Sequence, residues 1–181
     1  MASVREAALR RRSSPKVTDA SPDDAELREL LDAAGRVADH AALAPWRVIA
    51  LRGDARVRLG RALAEASGLP PEHAEKLAAK PLRAPLLLAI VATVTPHPKV
   101  PEWEQEAVAA GVAHLLTLLL DEAGWGVMWR TGPHTRRPAV AAMHGLGPNE
   151  RLLGWLYVGG RPAERAAPRE RGTGDRLTTL D

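Results

Sequence analysis

A chain of 181 residues, 45% of them hydrophobic, is long enough for one well-buried domain and short for two, so residues 1–181 read as a single unit. Cysteine is absent and no N-terminal apolar run precedes a cleavage site, which excludes a disulfide framework and thiol chemistry and makes a bacterial-type cytoplasm the expected compartment. The formal net charge is +3, but residues 1–16 alone carry +4, and with no Phe and one Tyr the chain lacks the basic, aromatic-interleaved surface of a nucleic-acid binder.

Residues 3–12 read as a short helix ending in three arginines, a charge favoured at a helix C-terminus, and Ser13, Ser14 and Pro15 break it. Two readings of Arg11, Arg12 and Ser13 stay open. They form a solvated helix end, or two guanidinium forks and a hydroxyl that converge on a phosphate dianion. Ser21 is the expected N-cap of a second helix, with Pro22 at its first position, acids behind it and an end near Val37. Arg36, Asp39 and His40 follow, before a turn at residues 44–46. His40 is either a polar group satisfied at a helix end or a hydrogen-bonding partner for a ligand. Residues 47–51 form an expected strand, 54–66 and 71–80 two amphipathic helices, and 86–94 a strand buried on both faces.

Residues 101–132 organise the rest. Pro101 suits a first helical turn, and Glu102, Glu104 and Glu106 put negative charge at the positive end of the helix dipole. Across residues 107–120 only Gly111, His114 and Thr117 interrupt the apolar side chains, so no face is left for water. The run falls short of the ~20 apolar residues a bilayer span needs, and no membrane partner is expected. A helix shared between two subunits is the favoured reading, and the core of a monomer the alternative. Gly124 and Gly126 then lead into a strand through Trp129, Arg130 and Thr131, where glycines allow close approach of a flat ligand or mark a bulge. A helix at 133–145, a fourth strand at 152–158 and a polar tail at 161–181 complete the chain, with residues 176–180 suited to pair with a sheet edge. No P-loop, GxGxxG fingerprint, metal spacing or Ser/His/Asp arrangement is present, so no side chain is nominated as catalytic. Four strands separated by helices give an α+β sandwich.

Taken in order, these pieces resemble the nitroreductase family of flavoproteins, in particular its short single-domain bacterial branch. Arg11-Arg12-Ser13 matches the N-terminal Arg-Arg-Ser signature, and Arg36 with Ala38-Asp39-His40 and Pro45-Trp46 resembles the second block. Pro101-x-Trp103-Glu104-Gln105 is similar to the opening of the family's central helix. Gly124-x-Gly126-x-x-Trp129-Arg130-Thr131-Gly132 is similar to its flavin-side strand and turn, and Leu156-Tyr157-Val158-Gly159 to its last strand. The resemblance implies a central, mostly antiparallel sheet flanked by helices, a homodimer built around the central helix, and a C-terminal arm, residues 161–181, that reaches the partner subunit. It implies FMN at the interface, held by Arg11, Arg12, Ser13, Arg36, His40, Trp129, Arg130 and Thr131, with NAD(P)H as co-substrate and an electron-poor nitroaromatic or quinone as acceptor. Departures stand at Pro15, where many members carry a basic residue, and at Leu43 and Ala44, where many carry Asn and Gln. They motivate a rival reading, a non-catalytic binding protein on the same fold, either a flavin carrier or one that has lost its cofactor.

Overall fold

The computed structural model describes residues 3–163, 172 and 174–180. Helix α1 (Val4–Arg10) opens with a reciprocal cap in which Ser3 and Glu6 satisfy each other's backbone N–H groups. Helix α2 (Asp24–Ala34) is capped by Asp23 and not, as expected, by Ser21. Asp23 Oδ1 accepts from the N–H groups of both Ala25 and Glu26 at 2.9 Å, and Ser21 Oγ is taken by the Arg52 guanidinium at 2.8 Å. The helix also stops earlier than Val37, at Gly35, whose hydrogen lies against the Trp46 ring where a Cβ would stand 2.8 Å from Cζ2.

Strands β1 (Trp46–Leu51), β2 (Leu86–Thr93), β3 (Trp125–Arg130) and β4 (Glu150–Gly160) form one fully antiparallel sheet in the order β1-β2-β4-β3. Leu86, Leu88 and Ile90 of β2 point to one face and Leu87, Ala89 and Val91 to the other, and all six are buried. A continuous apolar run in an antiparallel strand is explained by helices on both faces. Helices α3 (Asp54–Ser67), α4 (Pro71–Ala78) and α6 (Pro138–Met143) cover the face of Leu87, and α2 with α5 (Glu102–Glu122) the face of Leu88. The helix expected over residues 133–145 is split into a 3-10 turn, Pro133–Arg136, and α6. Arg137 precedes Pro138 and is held extended at φ −87°, ψ 135°, as the proline ring requires of its predecessor.

Helix α5 runs 21 residues, with Pro101 as its N-cap residue. Its start is pinned by the buried Gln105, which accepts from the Thr95 N–H at 2.9 Å and donates to the carbonyls of Thr95 and Val100 at 2.8 and 3.2 Å. Ala109, Val112, Ala113, Leu116 and Leu120 are buried against the sheet. The expectation that every side is covered does not hold within one chain: Trp103, Ala107 and His114 lie open along one stripe, Trp103 at 69% exposure. No helix among the described residues is long and apolar enough to cross a membrane.

Between α1 and α2 the chain crosses the β3–β4 end of the sheet. The Ser14 N–H donates to the Val127 carbonyl at 2.8 Å, and Thr18 bridges Gly160. A Cβ on Gly126 would meet Val17 at 2.8 Å, and one on Gly159 the Thr18 carbonyl at 2.6 Å. These glycines admit the N-terminal segment against the strands, through the side chains of Val17 and Ser14 at Gly126 and the Thr18 backbone carbonyl at Gly159. The expected edge pairing of residues 176–180 is absent among the described residues. A 3-10 turn spans Gly174–Arg176, and Leu177 and Leu180 stand exposed.

Candidate functional site

The N-terminal cations emerge at the end of α1, where Arg11 is the C-cap and its N–H donates to Ala7 O at 2.9 Å. Arg11 and Arg12 are half-buried and Ser13 is exposed. Glu6, the one acid in residues 1–16, is occupied in the Ser3 cap, which also holds its carboxyl below the usual range. Arg11 makes no ion pair among the described residues. The next residue, Ser14, is buried with its Oγ unpartnered among those residues, and its backbone bond to Val127 fixes the cationic segment to β3.

Strand β3 carries the second group of expected residues, and its pleat separates them. Trp129 pairs with Leu156 on the α5 face and meets the His114 ring edge-on, centroids 4.9 Å apart. Arg130 lies on the other face, its guanidinium 5.1 Å from the Tyr157 ring centroid. Burial raises the Tyr157 hydroxyl pKa, with Arg130 and Arg83 opposing that shift. Thr131 is exposed at the strand's end. Trp129 owes its place to Gly154, at φ +137°, where a Cβ would stand 2.5 Å from the Arg130 carbonyl and 2.7 Å from Trp129 Nε1. The Trp129 indole N–H is itself buried and unpartnered among the described residues.

The third group sits elsewhere on α5. Val37, Ala38, Asp39 and His40 face Trp103, Glu104, Ala107, Val108 and Gly111 across a cleft of about 650 Å³. Arg36 is exposed at the exit of α2 and does not line this cleft. His40 Nδ1 lies 2.9 Å from Glu104 Oε2. After His40 the backbone passes through the left-handed region at three alanines, Ala41, Ala42 and Ala44, with φ of 63°, 51° and 45°. That conformation costs roughly 1–2 kcal/mol per non-glycine residue. It is restrained by Asp39, whose Oδ2 accepts from the Ala44 N–H at 2.7 Å and whose carbonyl accepts from the Ala42 N–H at 3.2 Å.

Glu104 flanks the Trp103 end of the open stripe of α5, on which His114 lies. The two are ten residues apart, hence roughly 15 Å along the axis at 1.5 Å per residue. One chain therefore brings Arg11–Ser13 to β3 and sets His40 at the far end of the same stripe. Glu104, Asp39, Ser14 and Gly154 were not nominated from sequence. Only Glu104 had a signal, its acid at a helix start, and that signal names the dipole and not a partner 64 residues away.

The donor set suits a planar phosphorylated ligand. Two arginines and a hydroxyl match a phosphate, while a buried indole N–H and a serine hydroxyl wait beside the strand that would face a ring.

A profile of the nitroreductase family matches residues 8–160. A protein of Escherichia coli (strain K12), provisionally named NAD(P)H nitroreductase YdjA, is 31% identical over 154 residues, covering 83% of this chain and 84% of its own. A Haemophilus influenzae protein with a similar provisional name is 28% identical over 153 residues, 82% of this chain and 83% of its own. Among solved structures, a nitroreductase-like family protein from Bacillus cereus superposes with a TM-score of 0.86 at 21% identity, over 100% of this chain and 97% of that one. The FMN and NADPH-dependent nitroreductase NfnB from sphigopyxis sp. strain HMH gives 0.79 at 20% identity, over 99% of this chain and 100% of that one. The fold is thus nitroreductase-like, α+β with an antiparallel sheet between helical layers. With its family profile spanning most of the sequence, the chain belongs to the nitroreductase family, a family of oxidoreductases.

Proposed function

We propose that the protein is an FMN-dependent NAD(P)H oxidoreductase, a cytoplasmic homodimer that reduces electron-poor acceptors such as nitroaromatics or quinones in a ping-pong sequence. FMN, when bound, supplies the hydride chemistry, which accounts for the lack of an acid/base dyad in the sequence. The protein's residues bind and orient. Arg11, Arg12 and Ser13 hold the phosphate through charge-assisted hydrogen bonds. Trp129 offers an aromatic wall, Thr131 a hydroxyl at the strand end, and Arg130 a cation behind the strand. Arg36 and His40 come from the partner chain. A two-fold axis that pairs the open α5 stripes in antiparallel sets one chain's His40 end beside the other's Trp129 end, and it covers Trp103 and Ala107. The C-terminal arm crosses to the partner in the same assembly; most of residues 164–173 lie outside the described part of the chain.

The observation that carries this reading is the Ser14–Val127 hydrogen bond, which locks the phosphate-binding donors to the strand of Trp129, Arg130 and Thr131. The relatives' names point to the same cofactor and co-substrate. The test is a visible absorption spectrum of the purified protein before and after anaerobic addition of NADPH or NADH. Flavin bands that bleach are expected. Flavin that binds and does not bleach favours the carrier reading, for which Pro15, Leu43 and Ala44 speak. A protein that takes up no FMN contradicts both.

A further inference from the structure

His40 is presented by two carboxylates with separate tasks. Asp39 is spent on the turn, accepting from the Ala44 N–H at 2.7 Å. Glu104, anchored in the first turn of α5, reaches the His40 ring at 2.9 Å. The side chain of Glu104 is 29% exposed and that of His40 54%, so the carboxylate backs the ring while the rest of the imidazole stays open to the cleft. An ionised carboxylate only accepts hydrogen bonds, so the neutral imidazole beside it must carry its proton on Nδ1. Nε2 is then left as an acceptor. In water the opposite tautomer, with the proton on Nε2, is the more common one for a free histidine side chain, so the carboxylate imposes a choice the ring does not make alone.

We infer that Glu104 is a positioning residue: it fixes His40 in the Nδ1–H form and so assigns the Nε2 lone pair to a hydroxyl or N–H donor of the bound flavin, not to its phosphate. This rests on the flavin site proposed above. A phosphate oxygen needs a donor, and an acceptor nitrogen facing it is repulsive. The phosphate belongs with Arg11, Arg12 and Ser13, and His40 reads the polyol chain or the ring edge. The left-handed alanines add to this, because a turn held by Asp39 and a ring held by Glu104 leave little freedom to reorient.

Two measurements test the assignment. The first uses cofactor-free protein labelled with nitrogen-15, at a pH alkaline to the ordinary imidazole range. His40 is expected to show a protonated Nδ1 and a bare Nε2, with Glu104→Gln keeping that pattern through its amide carbonyl and Glu104→Ala shifting it towards Nε2–H. An Nε2–H ring in the unsubstituted protein overturns the proposal, whether or not flavin binds. The second compares affinities for FMN and for riboflavin, which lacks the phosphate. Glu104→Ala should weaken both by the same factor, roughly 3- to 10-fold for one neutral hydrogen bond, while Arg12→Ala changes the FMN-to-riboflavin ratio. A Glu104→Ala protein that loses FMN affinity selectively, or neither affinity, contradicts the inference. Failure of the unsubstituted protein to bind either flavin sinks the proposed function and leaves the tautomer result standing.

Discussion

The two faces of the sheet differ in kind. On the α3, α4 and α6 face polar side chains are linked within the chain: Trp155 donates its indole N–H to His144 Nε2 at 3.0 Å, and His144 Nδ1–H donates to the Val140 carbonyl at 2.7 Å. Arg47 clasps Glu150 with two bonds, which raises the pKa of the arginine and lowers that of the carboxylate. On the α5 face the sheet side is equally dry, but the outer stripe holds an exposed Trp103, an exposed His114 and a cleft at His40. Both faces hold buried polar atoms unpartnered among the described residues; what sets the α5 face apart is its open stripe of Trp103, Ala107 and His114. Trp129 Nε1 is such an atom on the α5 face, and Arg56 Nε of α3 and Arg130 Nε beside Tyr157 are such atoms on the other.

Substitutions can separate the two faces. The largest effect is expected from Arg11→Ala with Arg12→Ala, which removes two charge-assisted contacts of about 1.5–3 kcal/mol each. Equilibrium dialysis should show FMN affinity lost by at least about 100-fold. Next, Leu88→Ala opens a cavity under α5 and should lower stability by about 2–5 kcal/mol in urea titration. Trp103→Ala should change the unfolding of the single chain by no more than about 0.5 kcal/mol, since the ring is exposed there. The same substitution should raise the dimer dissociation constant, read by sedimentation, by a hot-spot amount of about 2 kcal/mol.

The smallest effect is electrostatic. Burial holds the His144 pKa below its usual value, with the Val140 hydrogen bond opposing and the Arg47 charge adding to the depression. A histidine with a depressed folded pKa stays neutral while the unfolded chain takes up a proton. Stability should therefore be steady above about pH 6.5, the unfolded value, and fall as pH drops below it. His144→Gln should remove that part of the acid slope, whatever its own cost at pH 8.

Legibility in the sequence followed the range of the interactions. Strand β2 was readable because an unbroken run from Leu86 to Val91 needs apolar neighbours on both sides. Helix α5 was readable from Pro101 and its acids; its apolar run predicted cover on every side, and the open stripe at Trp103, Ala107 and His114 departs from that within one chain. The N-cap at Asp23 was missed because Ser21 was an equally good local candidate until Arg52, 31 residues away, claimed its hydroxyl. The break before Pro138 was available in the rule for residues preceding proline and was overridden by composition. Within the proposed site, Arg11 to Ser13 and Trp129 to Thr131 were nominated by resemblance, and the Ser14–Val127 hydrogen bond holds the two segments together. Their division between sheet faces follows from strand alternation. The Glu104–His40 contact spans 64 residues, and no local pattern announces it.

The central claim, that each site is built from two chains, is tested most directly by mixing two defective proteins. One carries Arg11→Ala and Arg12→Ala, the other Arg36→Ala and His40→Ala, and each alone should hold almost no FMN. After subunit exchange, half of the dimers in a random mixture are mixed, and each of those has one site with every binding residue intact. Recovery of FMN binding in about a quarter of all sites is the predicted result for a two-fold dimer. No recovery, with exchange confirmed, would place the whole site within one chain and contradict the account.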